Sequence, residues 1–289
     1  MITTRSHSNH IDLDEAWPKD STDDYIDCRS WGRRLRYSAT AEGIEEFYEF
    51  IKDRLGKFTL FGSGDYHHLS ALWLRRLEEP VTLVSFDNHP DWDIRPPRWC
   101  CGTWINRALE LPMVRRAVIW GCGNFELNWP GNLFVSRRAL REQRLEVWPW
   151  TERLKESGRK RWPGMTRENW REKFSAFARR MAGERLYITI DLDCLLREES
   201  STNWENGLFT VDDILWALDE LRSQASIVGG DLCGAYSVPS FERLKQRIES
   251  TIDHPKLEPV SEAESTARNA RALRLIWGAL TAAPTVAAI

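Results

Sequence analysis

Short apolar runs alternate with longer amphipathic stretches along most of the 289-residue chain. Phe58–Gly62 (FTLFG), Val81–Asp87 (VTLVSFD), Ala117–Gly121 (AVIWG), Leu186–Asp191 (LYITID) and Ser226–Gly230 (SIVGG) have strand length, and most are rich in Val, Ile and Leu. That pattern predicts strands buried on both faces. Between them, Thr40–Arg54, Leu69–Glu78, Thr103–Leu111, Thr166–Met181, Val211–Arg222 and Pro239–Ile252 show helical spacing with charged faces. Thr210, followed by Asp212 and Asp213, predicts a helix start with acids near its positive end. Strands alternating with helices imply a mostly parallel central sheet covered on both sides, a three-layer α/β fold.

Three stretches fall outside this alternation. Thr151–Arg171 is highly charged and reads as a surface excursion leading into a helix. Leu257–Ile289 is Ala-rich and reads as a C-terminal tail, helical in its middle and ragged at its end. Residues 1–24 read as a loosely attached lead, with His10–Asp14 either a short edge strand or disordered. No internal repeat interrupts the pattern, and 1–289 is expected to form one domain.

Composition narrows the class. Hydrophobic residues make up 42% of the chain, enough for a large core, and 289 residues is near the upper limit for one such domain. A net charge of −3 leaves no electrostatic footprint for nucleic acid or an anionic membrane. Apolar runs such as Val81–Phe86 fall far short of a bilayer span, and Met1–Asp14 lacks the apolar stretch of a secretion signal. A cytoplasmic enzyme acting on a small molecule is expected, and nothing in the pattern opposes a homo-oligomer. Six cysteines without C-x-x-C spacing argue against a structural zinc site or a disulfide framework, so reduced thiols are expected.

In open parallel sheets, ligands sit beyond the carboxyl ends of the strands. Three expected strands release metal-ligand residues there. The first runs into Gly64-Asp65-Tyr66-His67-His68, the second ends in Asp87-Asn88-His89-Pro90-Asp91-Trp92-Asp93, and a later one ends in Asp191-Leu192-Asp193. So many acids on one rim would repel one another without a cation. Carboxylate and imidazole donors suit manganese, zinc or iron, and the carboxylate majority favours manganese. Bridging carboxylates can hold two such ions roughly 3.5 Å apart.

D-x-H-x-D after one strand, D-x-D after a later one, and a preceding G-D-…-H segment resemble the arginase, agmatinase and formiminoglutamase family, the ureohydrolases, over roughly Phe58 to Ser237. Related folds include the histone deacetylases. The resemblance implies that Asp87 and Asp191 bridge two divalent ions. Asp91 and a histidine of the first segment would complete one ion, and His89 and Asp193 the other, with water between the ions as nucleophile. Tyr66 intervenes before the histidine, leaving His67 or His68 as the ligand, and His67 is preferred.

The chain departs from the arginases at three places. Cys101 stands where the family carries its proton-shuttling histidine, and a thiol does not replicate imidazole at neutral pH. Gly234 stands where the family carries the Glu that grips a guanidinium, with Asp231 as the nearest remaining charge. Asn124 and Glu126 fall in a segment that resembles the family loop contacting the amino end of the substrate, and Glu126 is a candidate receiver of a cationic or polar group. Cys101, Glu126 and Asp231 are therefore the candidate catalytic residues. Trp92, Trp99 and Trp104 are candidates for the pocket wall. The expected activity is hydrolysis of a C–N bond in an amidine, guanidine-like compound or amide other than arginine. A deacetylase-like amidohydrolase and a metal-binding protein without catalysis are the alternatives.

Overall fold

Eight strands, all parallel, form the central sheet in the order β2-β1-β4-β10-β9-β5-β7-β8. Here β1 is Ser8–Asp12, β2 Tyr25–Asp27, β4 Phe58–Phe61, β5 Val81–Phe86, β7 Val114–Trp120, β8 Leu145–Trp148, β9 Arg185–Asp191 and β10 Ser226–Cys233. Two short strands, β3 (Ser38–Ala39) and β6 (Trp99–Cys100), pair antiparallel on their own. The structure, a computed structural model, describes residues 7–257 and 260–282.

All five expected strands form, and of the two readings of His10–Asp14 the strand holds, as β1, though not at the sheet's edge. β2 and β8 were not expected. β1 carries Asn9, His10 and Asp12, which are buried yet polar, so it offers no apolar run. The loosely attached start is corrected here: β1 pairs with β2 on one side and β4 on the other, inside the sheet rather than at its edge. The Asn9 amide donates to the Arg54 carbonyl (3.0 Å), and the Trp17 indole donates to the Phe61 carbonyl (2.8 Å), which tie the segment down. Met1–Ser6 lies outside the described residues.

Strand side chains alternate between two cores. Leu83, Ala117, Ile119 and Tyr187 face helices Ala41–Ile51 and Trp104–Glu110. Val84, Phe86, Val118, Leu186, Ile188 and Ile190 face helices Trp170–Arg180 and Val211–Gln224. Both faces of the sheet are thus covered, as an all-parallel sheet requires, giving the αβα sandwich. The helix start at Thr210 is a reciprocal cap: its hydroxyl accepts from Asp213 N (3.1 Å) while Asp213 accepts from Thr210 N (3.0 Å). The charged excursion after β8 holds one short helix, Glu156–Arg161, and the tail is helical from Glu262 to Thr281. The tail's expected ragged end falls largely outside the described residues. No helix among the described residues is long and apolar enough to cross a membrane.

Candidate metal centre

Neighbouring strands β4, β9 and β5, with β10 inserted between the first two, deliver their carboxyl ends to one cavity. After β4 the chain tightens into a 3-10 helix, Gly64–Leu69. With three residues per turn, adjacent side chains diverge by about 120°. Tyr66 is driven into the core, His67 faces the cavity, and His68 does not line it. Desolvation, then the neighbouring His67, pushes His68 down to about 3, so it stays a neutral interior group.

His67 is where the three strand ends meet. Its Nδ1 lies 3.2 Å from Asp87 Oδ2, 3.4 Å from Asp91 Oδ2 and 3.5 Å from Asp191 Oδ2. His89 Nδ1 lies 2.7 Å from Asp193 Oδ2 and 3.6 Å from Asp87 Oδ1. Donor atoms of His67, Asp87 and Asp91 fall within 4.8 Å of one another, and so do those of Asp87, His89 and Asp193. The two groups share Asp87. The structure thus brings all six expected ligands together, and their oxygen and nitrogen donors fit a pair of divalent ions.

Local bonds hold these side chains in place. Asp87 Oδ1 accepts from His89 N (2.7 Å), Asp191 Oδ1 from Asp193 N (3.0 Å), and Asp193 Oδ1 from Asn88 N (3.0 Å). Asp91 is held at φ 45°, a region a non-glycine residue seldom occupies, and its Oδ2 accepts from the Trp104 indole (2.6 Å). Trp104 therefore acts from inside the core, as does Trp92, which packs against Trp162. Trp99 lies on β6, away from the cavity lining.

The electrostatics are those of a cluster short of positive charge. Burial first, and the neighbouring acids next, push Asp191 up to about 8; burial and Asp87 push Asp91 up to about 7. Burial and Asp87 likewise raise Asp193 to about 7 against the pull of His89. Burial would lower His67 and His89, but their carboxylate partners outweigh it and raise both. At Asp87 burial is opposed by bonds from both histidines, which hold it below the usual carboxylate range. Ligands of this kind must be deprotonated to bind metal, so cation binding at such a cluster would release protons.

Asp231, an expected catalytic residue, is corrected. It does not line the cavity and has no exposure. β10 runs three residues further than expected, and Asp231 pairs in register with Thr189, two residues below the Cys233–Asp191 pair at the rim. Its carboxylate accepts from Thr189 Oγ1 (2.5 Å), Tyr187 OH (2.8 Å) and Ser70 Oγ (3.1 Å). Thr189 Oγ1 in turn meets His67 Nε2 at 2.9 Å. Asp231 thus supports the far side of the His67 ring, fixing its orientation.

Cys101 and Glu126 do line the cavity, with Asn124 and Phe125 beside them. Glu126 stands partly exposed at the rim; loss of solvent, opposed by His89 and aided by Asp91, pushes it up to about 8. Three further residues close the mouth and were not anticipated: Trp204, Glu205 and Asp253. Glu205 Oε2 lies 3.3 Å from His89 Nε2. The Trp204 indole donates to Asp65 (3.2 Å), whose carboxylate also binds Arg36 (2.6 Å) and His254 (2.7 Å). Asp253 accepts from Tyr37 OH (3.0 Å). The space left among these side chains is about 40 Å³, room for a water or two.

The class this architecture defines is the arginase-type α/β fold. Arginase from Bacillus subtilis aligns over 96% of this chain and 99% of its own, with TM-score 0.56 and 11% identity. Formimidoylglutamase from the same species aligns over 99% and 90%, with TM-score 0.55 and 11% identity. A putative agmatinase from Clostridium difficile aligns over 96% and 98%, with TM-score 0.53 and 13% identity. An uncharacterized protein of Thermotoga maritima is 26% identical over 237 residues, 80% of this chain and 81% of that one. No protein-family model matches the sequence.

Proposed function

We propose that the chain is a binuclear metal-dependent hydrolase of a C–N bond in a small molecule: an amidine, a guanidine-like compound or an amide. The observation that carries this is the pair of buried ligand groups, His67–Asp87–Asp91 and Asp87–His89–Asp193, sharing one carboxylate at the strand ends of an arginase-type sheet. Asp87 and Asp191 would bridge two divalent ions, and the oxygen-rich set as a whole suits manganese. Bound there, the ions supply Lewis acidity and lower the pKa of water. Asp91 and His67 would complete one ion, His89 and Asp193 the other. The Asp231–Thr189 pair would keep His67 oriented, and Trp204 and Phe125 would restrict water at the mouth. A cytosolic setting suits the six buried thiols.

Arginine is disfavoured as substrate. Gly234 has φ 101°, and a Cβ there would stand 2.1 Å from Asp191 Oδ1, so no carboxylate can be supplied from that position. Cys101 is buried beside Cys100, with the sulfurs 4.0 Å apart; that contact first, and burial next, push its thiol well above its usual range, so it cannot shuttle protons at neutral pH. Glu126, Glu205 and Asp253 at the mouth favour a substrate whose outer end is cationic or rich in N–H donors. The lost guanidinium grip also keeps the acetylated-amine reading alive as a second substrate class. The test is turnover of arginine, agmatine, simple amidines and acetylated amines by metal-loaded protein, with the metal-free protein as control. We expect no urea from arginine or agmatine, because loss of a general acid–base group alone costs roughly 10²–10⁴-fold in rate. Urea release at ordinary enzyme rates would refute the substrate reading.

A further inference from the structure

We propose that Cys233 is a thiolate ligand of the ion on the His67 side of the centre, making that position softer than its neighbour. The inference rests on the binuclear reading above. Cys233 is the last residue of β10, the strand between β4 and β9, and pairs in register with Asp191. Its side chain is fully buried and its Sγ lies 3.5 Å from Asp191 Oδ2. Donor atoms of His67, Asp191 and Cys233 fall within 4.8 Å of one another, a third ligand group that shares His67 with the first. None of the other five cysteines belongs to such a group among the described residues.

The position follows from the backbone. Gly234 takes φ 101° and leaves no Cβ between the strand end and Asp191, so the chain passes close under that carboxylate and carries the Cys233 sulfur with it. An ordinary buried thiol would need only apolar neighbours. This one is set against an imidazole and a carboxylate that already face two further acids.

The two ions then differ in chemistry. An ion beside His89 would be held by Asp87, Asp191, Asp193 and one imidazole, a hard set that suits manganese. An ion beside His67 would be held by an imidazole, carboxylates and a sulfur, and thiolate sulfur favours softer ions such as zinc over manganese. Binding there breaks the S–H bond, forms a metal–sulfur bond, and releases the proton to solvent. The centre is therefore built to hold two different metals.

Cobalt(II) reports on this directly, because a thiolate bound to it gives an intense near-ultraviolet charge-transfer absorption that oxygen and nitrogen ligands do not. The full-length protein is stripped with chelator, reloaded with Co²⁺, and its spectrum and metal content are recorded. Cys233→Ala and Cys233→Ser are treated alike, with Cys101→Ala as the control for the thiol that lines the cavity. We expect the band in the parent and in Cys101→Ala, whose sulfur lines the cavity outside the His67–Asp191–Cys233 group, and its loss in both Cys233 variants while bound cobalt remains. Zinc affinity at one of the two sites should fall in the Cys233 variants by more than the roughly 10–100-fold that losing a group behind a ligand costs, with manganese affinity nearly unchanged. Cobalt bound without the band, or a band that survives Cys233→Ala, overturns the thiolate assignment and leaves the binuclear reading standing. Failure of the parent to bind cobalt at all overturns both.

Discussion

Gly234→Ala tests the rim at its tightest point. A Cβ on Gly234 would lie 2.1 Å from Asp191 Oδ1 and 2.5 Å from Leu192 N, on a backbone at φ 101°. The backbone conformation alone costs an L-residue about 1–3 kcal/mol. The overlap with a carboxylate and a strand-end amide adds about 1–3 kcal/mol more, since the Asp191 carboxylate is fixed by its bond from Asp193 N. The sum is about 2–6 kcal/mol, a fall in Tm on the order of 5–20 °C for a chain of this size. Gly183→Ala separates the two costs, because Gly183 also has positive φ (75°) but nothing within 4 Å of the added Cβ. Thermal unfolding of both metal-free variants should show the larger loss at Gly234. Metal titration should show weakened binding only there, because Asp191 must move. Gly234→Glu should fail in the same way rather than restore a guanidinium grip. The reasoning is refuted if Gly234→Ala melts with the parent, or no lower than Gly183→Ala, and binds metal as the parent does.

Asp191→Asn should abolish most metal binding, since one carboxylate would serve both ions; isothermal titration with Mn²⁺ giving parental affinity would rule out the bridging role. His67→Ala should lower metal occupancy by elemental analysis, while His68→Ala should lower Tm and leave occupancy intact, and the reverse result would shift the first ligand by one residue. Chelation should lower Tm, and by more at pH 8 than at pH 6. In the metal-free protein Asp91, Asp191 and Asp193 are raised to about 7–8, so the folded state holds protons that the unfolded chain releases near 4, and stability falls as pH rises across that window. His67 and His89, also raised, contribute stability present below 6.5 and lost above it, in the same direction. A metal-dependent gain in Tm that shrinks between pH 6 and pH 8 would contradict this.

The candidate metal ligands were legible because they follow points where an apolar run stops. Phe86 and Ile190 are the last buried apolar residues of their strands, so Asp87 and Asp191 had to emerge at the rim. The same logic failed for Asp231, because Gly229 and Gly230 looked like a strand end, whereas pairing with β4 and β9 carries β10 on to Cys233. β1 read at most as an edge strand since Asn9 and His10 fill its buried positions, polar groups that only tertiary pairing makes tolerable. Glu205 and Asp253 reach the cavity from loop and helix ends far along the chain, at separations no local pattern encodes. Thr189, a hydroxyl inside an otherwise apolar buried strand, was a signal that could have been read: a buried polar group needs a partner, and here it has two, His67 and Asp231.

The placement of β10 sets the order in which the molecule can be completed. Without it the sheet is two separate ribbons, β2-β1-β4 and β9-β5-β7-β8, and β10 is the strip that joins them. His67 belongs to the first ribbon, and Asp87, His89, Asp91, Asp191 and Asp193 to the second. A nascent chain therefore has both halves of the candidate metal centre before the strand that hydrogen-bonds the two ribbons is made. Such late, long-range pairing is slow to form. Cation capture across the seam becomes the reporter of its closure, and a chain halted before Ser226 would leave four acids stranded beside a single imidazole.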